Sequence, residues 1–191
     1  MAAQPNTPMS RDEYLAFERE QGEKYEYVAG QVFAMVGVSR QHNLILSSTL
    51  AHLYPQVRQP GCTIFPSDTK IAIDAGQIYV YPDIAGACGT PQFESEREGL
   101  LLNPTLIIEI LSPSTERYDR TGKFFRYQGI PSFREYLLVA QDEPLVEQFI
   151  REEDGRWVWS FTQGLDAALT IRTIAQTLPL AAIYEQVSFA D

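Results

Sequence analysis

The chain has 191 residues and a formal net charge of −10, with 45% hydrophobic, 12% aromatic and 21% charged residues. That is an ordinary globular composition, long enough for one domain with a sizeable core. It holds no apolar run near the ~20 residues that cross a bilayer and no leader-like start, so a cytoplasmic protein is expected. The acidic balance excludes tight nonspecific gripping of nucleic acid through a general basic surplus; such a role needs a local basic patch or metal ions.

In chain order, residues 1–9 read as a flexible tail and 10–191 as a single domain. Ser10 with Glu13 forms a capping box that predicts a helix over 10–21, stopped by Gly22. "KYEYVAGQVFAMV" predicts a hairpin turning at Ala29-Gly30. A helix over 40–54 carries Leu44, Ile45, Leu46, Leu50 and Leu53 and ends before Pro55. Strand-like pieces follow in "CTIFP", "TKIAIDA" and "IYVYPDIAGA", then an irregular excursion over 86–103. The run "TLIIEIL" over 105–111 predicts a strand covered on both faces. A helix over 116–128 stops at Gly129, and "REYLLVA", "LVEQFIR" and "RWVWSF" predict three further strands. "LPLAAIYEQV" predicts a last helical turn or two. Helices before, between and beside strands argue for an α/β or α+β domain with a mixed central β-sheet flanked by helices.

Several chemistries are excluded by what is missing. There is no GxxxxGK[ST] phosphate loop, no GxGxxG opening a helix and no GxSxG elbow. The two histidines, His42 and His52, lie ten positions apart and would face different sides of a helix, and Cys62 and Cys88 form no CxxC pair. Zinc is therefore not expected, and the two cysteines are expected as small core residues rather than a disulfide.

What remains is acid placed in strands. Asp83 follows Pro82 at the end of "IYVYPD", and Glu109 lies 26 positions later inside the apolar run. Strand alternation puts Glu109 on one face with Ile107 and Leu111, while Ile108 and Ile110 point the other way. A carboxylate there loses its water, which is costly unless a cation or hydrogen-bond donor receives it. If the two strands are neighbours, Asp83 and Glu109 converge, and two close carboxylates favour a cation between them. Mg²⁺ suits two carboxylates plus water and substrate phosphate. The bland readings are turn chemistry for Asp83 and a structural Arg or Lys partner for Glu109.

"YPDIAGA" and "LIIEILSPSTERYDRTGKFFRYQGIPSFREYLLVA", with "KYEYVAGQVFAM" and "SRQHNLILSSTLAHL" before them, resemble the Uma-type endonuclease family of bacteria. That family, long carried as a domain of unknown function, lies within the PD-(D/E)xK restriction-endonuclease-like superfamily. The resemblance covers most of residues 10–185. It implies a restriction-endonuclease-like fold and Mg²⁺- or Mn²⁺-dependent hydrolysis of phosphodiester bonds. Asp83 and Glu109 match the motif's acids and, with the main-chain carbonyl of Ile110, would hold the metal. The superfamily's lysine belongs two residues after the acid, where this chain has Leu111. The family's lysine is thought to have moved to the following helix, which implies Lys123. On that helix Arg120, Lys123 and Tyr127 are expected on one face; the bland alternative pairs Lys123 with Asp119 at the surface.

Glu26, His42 and Asp68 are further supporting candidates: Glu26 as an extra acid or a salt-bridge partner, His42 as a substrate contact or a capping or packing residue, and Asp68 beside Lys70, where turn chemistry is the bland reading. Arg117, Arg120 and Arg126, with Lys123, form the best candidate strip for contacting nucleic acid, and weak, metal-assisted DNA contact is expected. A homodimer is plausible for an enzyme that cuts two strands. Leu111 and the acidic net charge also leave a second reading open, a nuclease fold that binds or regulates without cutting.

Overall fold

A computed structural model describes residues 8–35, 37–57, 61–94 and 99–189. Ser10 caps α1 (Arg11–Gln21): its hydroxyl accepts from the Glu13 N–H while the Glu13 carboxylate reaches back to the Ser10 N–H, and Gly22 closes the helix at φ 67°. Strands β1 (Tyr25–Val28) and β2 (Gln31–Ala34) follow as the expected hairpin. Ala29 and Gly30 both take positive φ, 47° and 92°, as a tight two-residue turn requires. Most of the expected tail lies outside the described residues, but Met9 is fastened to this hairpin. Its N–H donates to Gly30 O, and its carbonyl accepts from the Tyr27 hydroxyl.

Helix α2 (Arg40–Leu53) is capped by Ser39. Then come β3 (Cys62–Pro66), β4 (Lys70–Ile73), β5 (Ile78–Val80), β6 (Ile84–Cys88), the short β7 (Leu100–Leu101) and β8 (Leu106–Ile110). The excursion over 86–103 thus contains strand at both ends, and residues 95–98 lie outside the described set. The helical segment 116–127 is not one regular helix. It consists of α3 (Glu116–Tyr118), a π turn (Asp119–Lys123) and α4 (Phe124–Tyr127). Strands β9 (Glu135–Val139), β10 (Leu145–Arg151) and β11 (Trp157–Gln163) sit where the sequence predicts them. The sequence did not predict the hairpin of β12 (Ala168–Ile171) and β13 (Gln176–Pro179); α5 (Leu180–Ile183) follows it.

Among the described residues the central sheet runs β11-β10-β9-β8-β6-β3. It is mixed, because β8 and β9 are parallel and its other pairs antiparallel. A second sheet runs β2-β1-β5-β4-β7. On one face of the central sheet Leu106, Ile108, Ile110, Leu137 and Val139 pack with α2, the β12–β13 hairpin and α5. On the other, Ile107, Leu111 and Leu138 pack with the second sheet and with Tyr127 and Phe133. The Glu109 side chain belongs to this second face, as strand alternation predicted.

The cysteine expectation is corrected. Cys62 and Cys88 form a disulfide with Cα atoms 4.0 Å apart. They are register partners on antiparallel β3 and β6. Their separation of 26 positions in sequence hides that juxtaposition, which only sheet register creates.

A carboxylate cavity closed by a helix-borne lysine

Asp83 sits where the Tyr81-Pro82 link enters β6. Because Ile84 pairs with Ile108, the next step along both strands sets Asp83 opposite Glu109. Directly opposed residues have Cβ atoms ~4.5–5.5 Å apart, so the two acids share one site. The Asp83 N–H donates to Glu109 Oε2 at 3.3 Å, and the Ile110 N–H donates to Asp83 Oδ2 at 2.7 Å. From α2, His42 Nε2 lies 3.1 Å from the same Asp83 oxygen. Glu109 is only 2% exposed. Its Oε1 accepts from the Tyr127 hydroxyl at 3.0 Å and stands 3.1 Å from Lys123 Nζ.

Lys123 comes from the π turn. Its Nζ lies 3.2 Å from Glu26 Oε1 and 3.5 Å from Asp119 Oδ1, and donates to the Tyr81 carbonyl at 3.0 Å. The expected face of Arg120, Lys123 and Tyr127 is therefore corrected. The extra residue of the π turn shifts the helical phase, so Asp119, Lys123 and Tyr127 turn inward. Arg120 instead pairs with Glu116 and Glu147. The Asp119–Lys123 pair exists but is buried, not a surface contact.

Tyr81 links this cluster to a second buried ion pair. Its N–H donates to Glu26 Oε1 at 3.4 Å and its hydroxyl to Glu18 Oε1 at 2.7 Å, while Lys70 Nζ meets Glu18 Oε2 at 2.5 Å. The backbone that carries Asp83 and receives Lys123 is thus held from behind by Glu18 and Lys70.

Burial pushes the Glu109 carboxyl well above the usual range; Lys123 pulls it back, while Asp119, Asp83 and Glu26 push it further up. Asp119 is likewise raised by burial against the pull of Lys123 and a Thr115 hydrogen bond. For Lys123, burial alone would lower the ammonium, but Glu109, Glu26 and Asp119 outweigh it and hold it well above its ordinary value. Burial, followed by the Glu109 charge, keeps the Tyr127 phenol neutral and donating. The cluster is over-supplied with acid.

These groups line a cavity of about 260 Å³, with Met35 and Val38 on its apolar wall and Ser112–Thr115 at its rim. Glu26, His42, Asp83, Glu109, Ile110 and Lys123 all reach it. Asp68 does not line it; its side chain is 83% exposed and pairs with Lys24. Arg117 is exposed and outside it, and Arg126 lines a neighbouring cavity. Sequence reading missed Asp119 and Tyr127 as contributors to the buried charge cluster. The signal available was their spacing of four on either side of Lys123, which a π turn brings onto one face.

The cavity offers carboxylate oxygens, the donor type that hard divalent cations take. Four carboxyls (Glu26, Asp83, Glu109 and Asp119) and one ammonium line the cavity, a formal excess of three negative charges when all are ionised. Asp119 Oδ1 is buried with no hydrogen-bond partner. Among the described residues no three His, Cys, Asp or Glu side chains are grouped to hold a metal.

Fold and cavity together define a restriction-endonuclease-like domain in which Asp83 and Glu109 face each other at β6 and β8 and Lys123 meets Glu109 from the helical segment. The Uma2 family, described as putative restriction endonuclease, matches residues 11–181, and the chain belongs to it. An uncharacterized protein of Synechocystis sp. is 36% identical over 193 residues, covering 99% of this chain and 100% of its own. Another from the same organism is 33% identical over 158 residues, covering 82% of this chain and 89% of its own. A crystal structure from Anabaena variabilis, titled as a putative nuclease belonging to DUF820, shares the fold. Its TM-score is 0.74 at 19% identity, covering 95% of this chain and 100% of that one.

Proposed function

We propose that this chain is an endonuclease that hydrolyses DNA phosphodiester bonds with Mg²⁺ or Mn²⁺. The observation that carries this reading is the opposition of Asp83 and Glu109 across β6 and β8, with the Lys123 ammonium 3.1 Å from Glu109. Asp83, Glu109 and the carbonyl of Ile110 would hold the metal. When bound, the metal would polarise the scissile phosphate and lower the pKa of a water. Lys123 would orient the attacking water or stabilise the charge that develops on the phosphoryl oxygens. Glu26 and Asp119 keep Lys123 charged and fixed, and His42 holds Asp83 in place. Membership of a family described as putative restriction endonuclease supports the same reading. A symmetric dimer would present two such sites to a duplex, which sedimentation of the full chain tests.

The deciding experiment is plasmid DNA incubated with Mg²⁺ or Mn²⁺, wild type beside Asp83→Ala and Glu109→Ala. Nicking that survives both substitutions rules out this site. A second reading, a fold that binds without cutting, is favoured by one observation. Lys123 has three carboxylates and the Tyr81 carbonyl around it, more acceptors than its N–H groups can serve. No cleavage of any nucleic acid, with no metal-induced rise in thermal midpoint, selects that reading.

A further inference from the structure

Of the four cations on the 116–127 helical segment, two are already engaged by acids: Arg120 by Glu116 and Glu147, and Lys123 by the buried cluster. Arg126 is different. It has no ion pair among the described residues, and its Nη1 is buried without a hydrogen-bond partner. Arg126 as a whole is only half-buried, and a buried N–H without an acceptor is costly enough that native structures seldom leave one without a reason.

The guanidinium carbon lies 5.3 Å from the centre of the Tyr118 ring. Gly122 makes this stack possible, because a Cβ there would meet Tyr118 ring carbons at 2.7 and 2.8 Å and Arg126 Nη1 at 3.0 Å. Tyr118 and Arg126, with Val28 and Phe33 of the β1–β2 hairpin, line a cavity of about 240 Å³. Tyr118 also lines the carboxylate cavity, and its ring centre lies 5.9 Å from Lys123 Nζ. One aromatic side chain therefore forms a wall of both cavities and contacts a cation belonging to each. Three positions separate Lys123 from Arg126, which makes them neighbours along the helix, with Cβ atoms ~5–6 Å apart.

We propose that Arg126, stacked on Tyr118, holds the phosphate adjacent to the scissile one on the same nucleic-acid strand. A planar guanidinium with an unused N–H matches a phosphate that needs donors in a fork, and stacking on an aromatic face fixes the plane of that fork. The acidic chain gains affinity here because this cation carries no internal acid to displace. The site selects a polynucleotide strand, with a further phosphate beside the reacting one, over an isolated phosphodiester. This inference rests on the nuclease reading of the neighbouring cavity.

The test is equilibrium binding of a fluorescein-labelled single DNA strand to the full chain in Ca²⁺, read by anisotropy over a salt series. Arg126→Gln should bind about tenfold more weakly. The slope of log affinity against log salt should fall by about 0.7, the loss of one phosphate contact on a single strand. Arg126→Lys should restore the slope, because the charge returns, with only part of the affinity. Arg126→Gln with wild-type affinity and slope overturns the proposal. So does weaker binding with an unchanged slope, or a wild-type chain that binds no strand. The nuclease reading is tested separately by Mn²⁺-dependent hydrolysis of bis(p-nitrophenyl) phosphate, which has no flanking phosphate, in wild type against Asp83→Ala. Loss of that hydrolysis in Asp83→Ala beside an unaltered Arg126→Gln isotherm rejects the subsite alone.

Discussion

Lys123 Nζ and Glu109 Oε1 meet at 3.1 Å, although one residue rides a helix and the other lies in the middle layer of a sheet. The pair is almost fully buried, so removing the cation leaves Glu26, Glu109 and Asp119 without their shared counter-charge. Lys123→Ala is expected to cost about 3 kcal/mol or more of stability and to abolish turnover. Urea unfolding checks the first, and adding Glu26→Gln should recover part of the loss. Turnover unchanged from wild type would remove Lys123 from the chemistry.

Metal binding should register on stability independently of cleavage. Mn²⁺ is expected to raise the thermal midpoint of the wild type, because a ligand that binds only the folded chain stabilises it by mass action. Asp83→Asn and Glu109→Gln should each shrink that rise, while Asp68→Asn, exposed and outside the cavity, should keep it in full. An equal rise in all four proteins would place the metal elsewhere.

Glu135 makes a purely structural prediction. It is fully buried and accepts from the Arg172 N–H at 3.1 Å, the Thr173 N–H at 2.7 Å, the Thr173 hydroxyl at 2.5 Å and Gln148 Nε2 at 2.5 Å. It ties the turn between β12 and β13 to the central sheet. Glu135→Ala strands four donors at once and should cost about 3 kcal/mol or more, measurable as a lower urea midpoint. A loss within about 0.5 kcal/mol, typical of surface substitutions, would contradict this.

The Cys62–Cys88 bridge closes a stretch of 26 residues. Loop-closure entropy gives such a cross-link about 3 kcal/mol. Cys62→Ser with Cys88→Ser, or a reductant, should lower the unfolding midpoint accordingly. Insensitivity to both would show that the bridge contributes nothing.

The α1 cap gives a pH prediction with a defined sign. The Ser10 N–H and hydroxyl hold the Glu13 carboxyl below its ordinary value of 4.5. A depressed folded-state pKa contributes stability above the unfolded value, lost as pH falls through the folded one. The stability difference between wild type and Glu13→Gln should therefore be constant near neutrality and vanish in acid. A difference that grows on acidification would reverse the assignment.

Much of the fold was legible because local periodicity wrote it. The capping box, the Ala29-Gly30 hairpin and the side of β8 on which Glu109 lies each follow from spacing within a few residues. Asp83 beside Glu109 was legible only as a condition, since sheet register decides it. The disulfide, Arg120 facing Glu147 and the inward turn of Asp119 were not legible. Each depends on partners tens of residues away or on one extra residue in a helical turn, and neither leaves a mark in hydrophobic patterning. The β12–β13 hairpin was hidden for a related reason: its strands are four residues each and half exposed.

The π turn ties the order of assembly to the completeness of the site. The sheet alone sets Asp83 opposite Glu109, but Lys123 arrives only when the 116–127 segment docks. Tyr127 and Asp119 dock with it, so the ammonium, the phenol donor and the fourth acid are delivered in one event. On the nuclease reading, a chain with its sheet formed and this segment undocked lacks Lys123 and should not cut. Amide hydrogen exchange across 116–127 would then report the same opening that switches the pocket off.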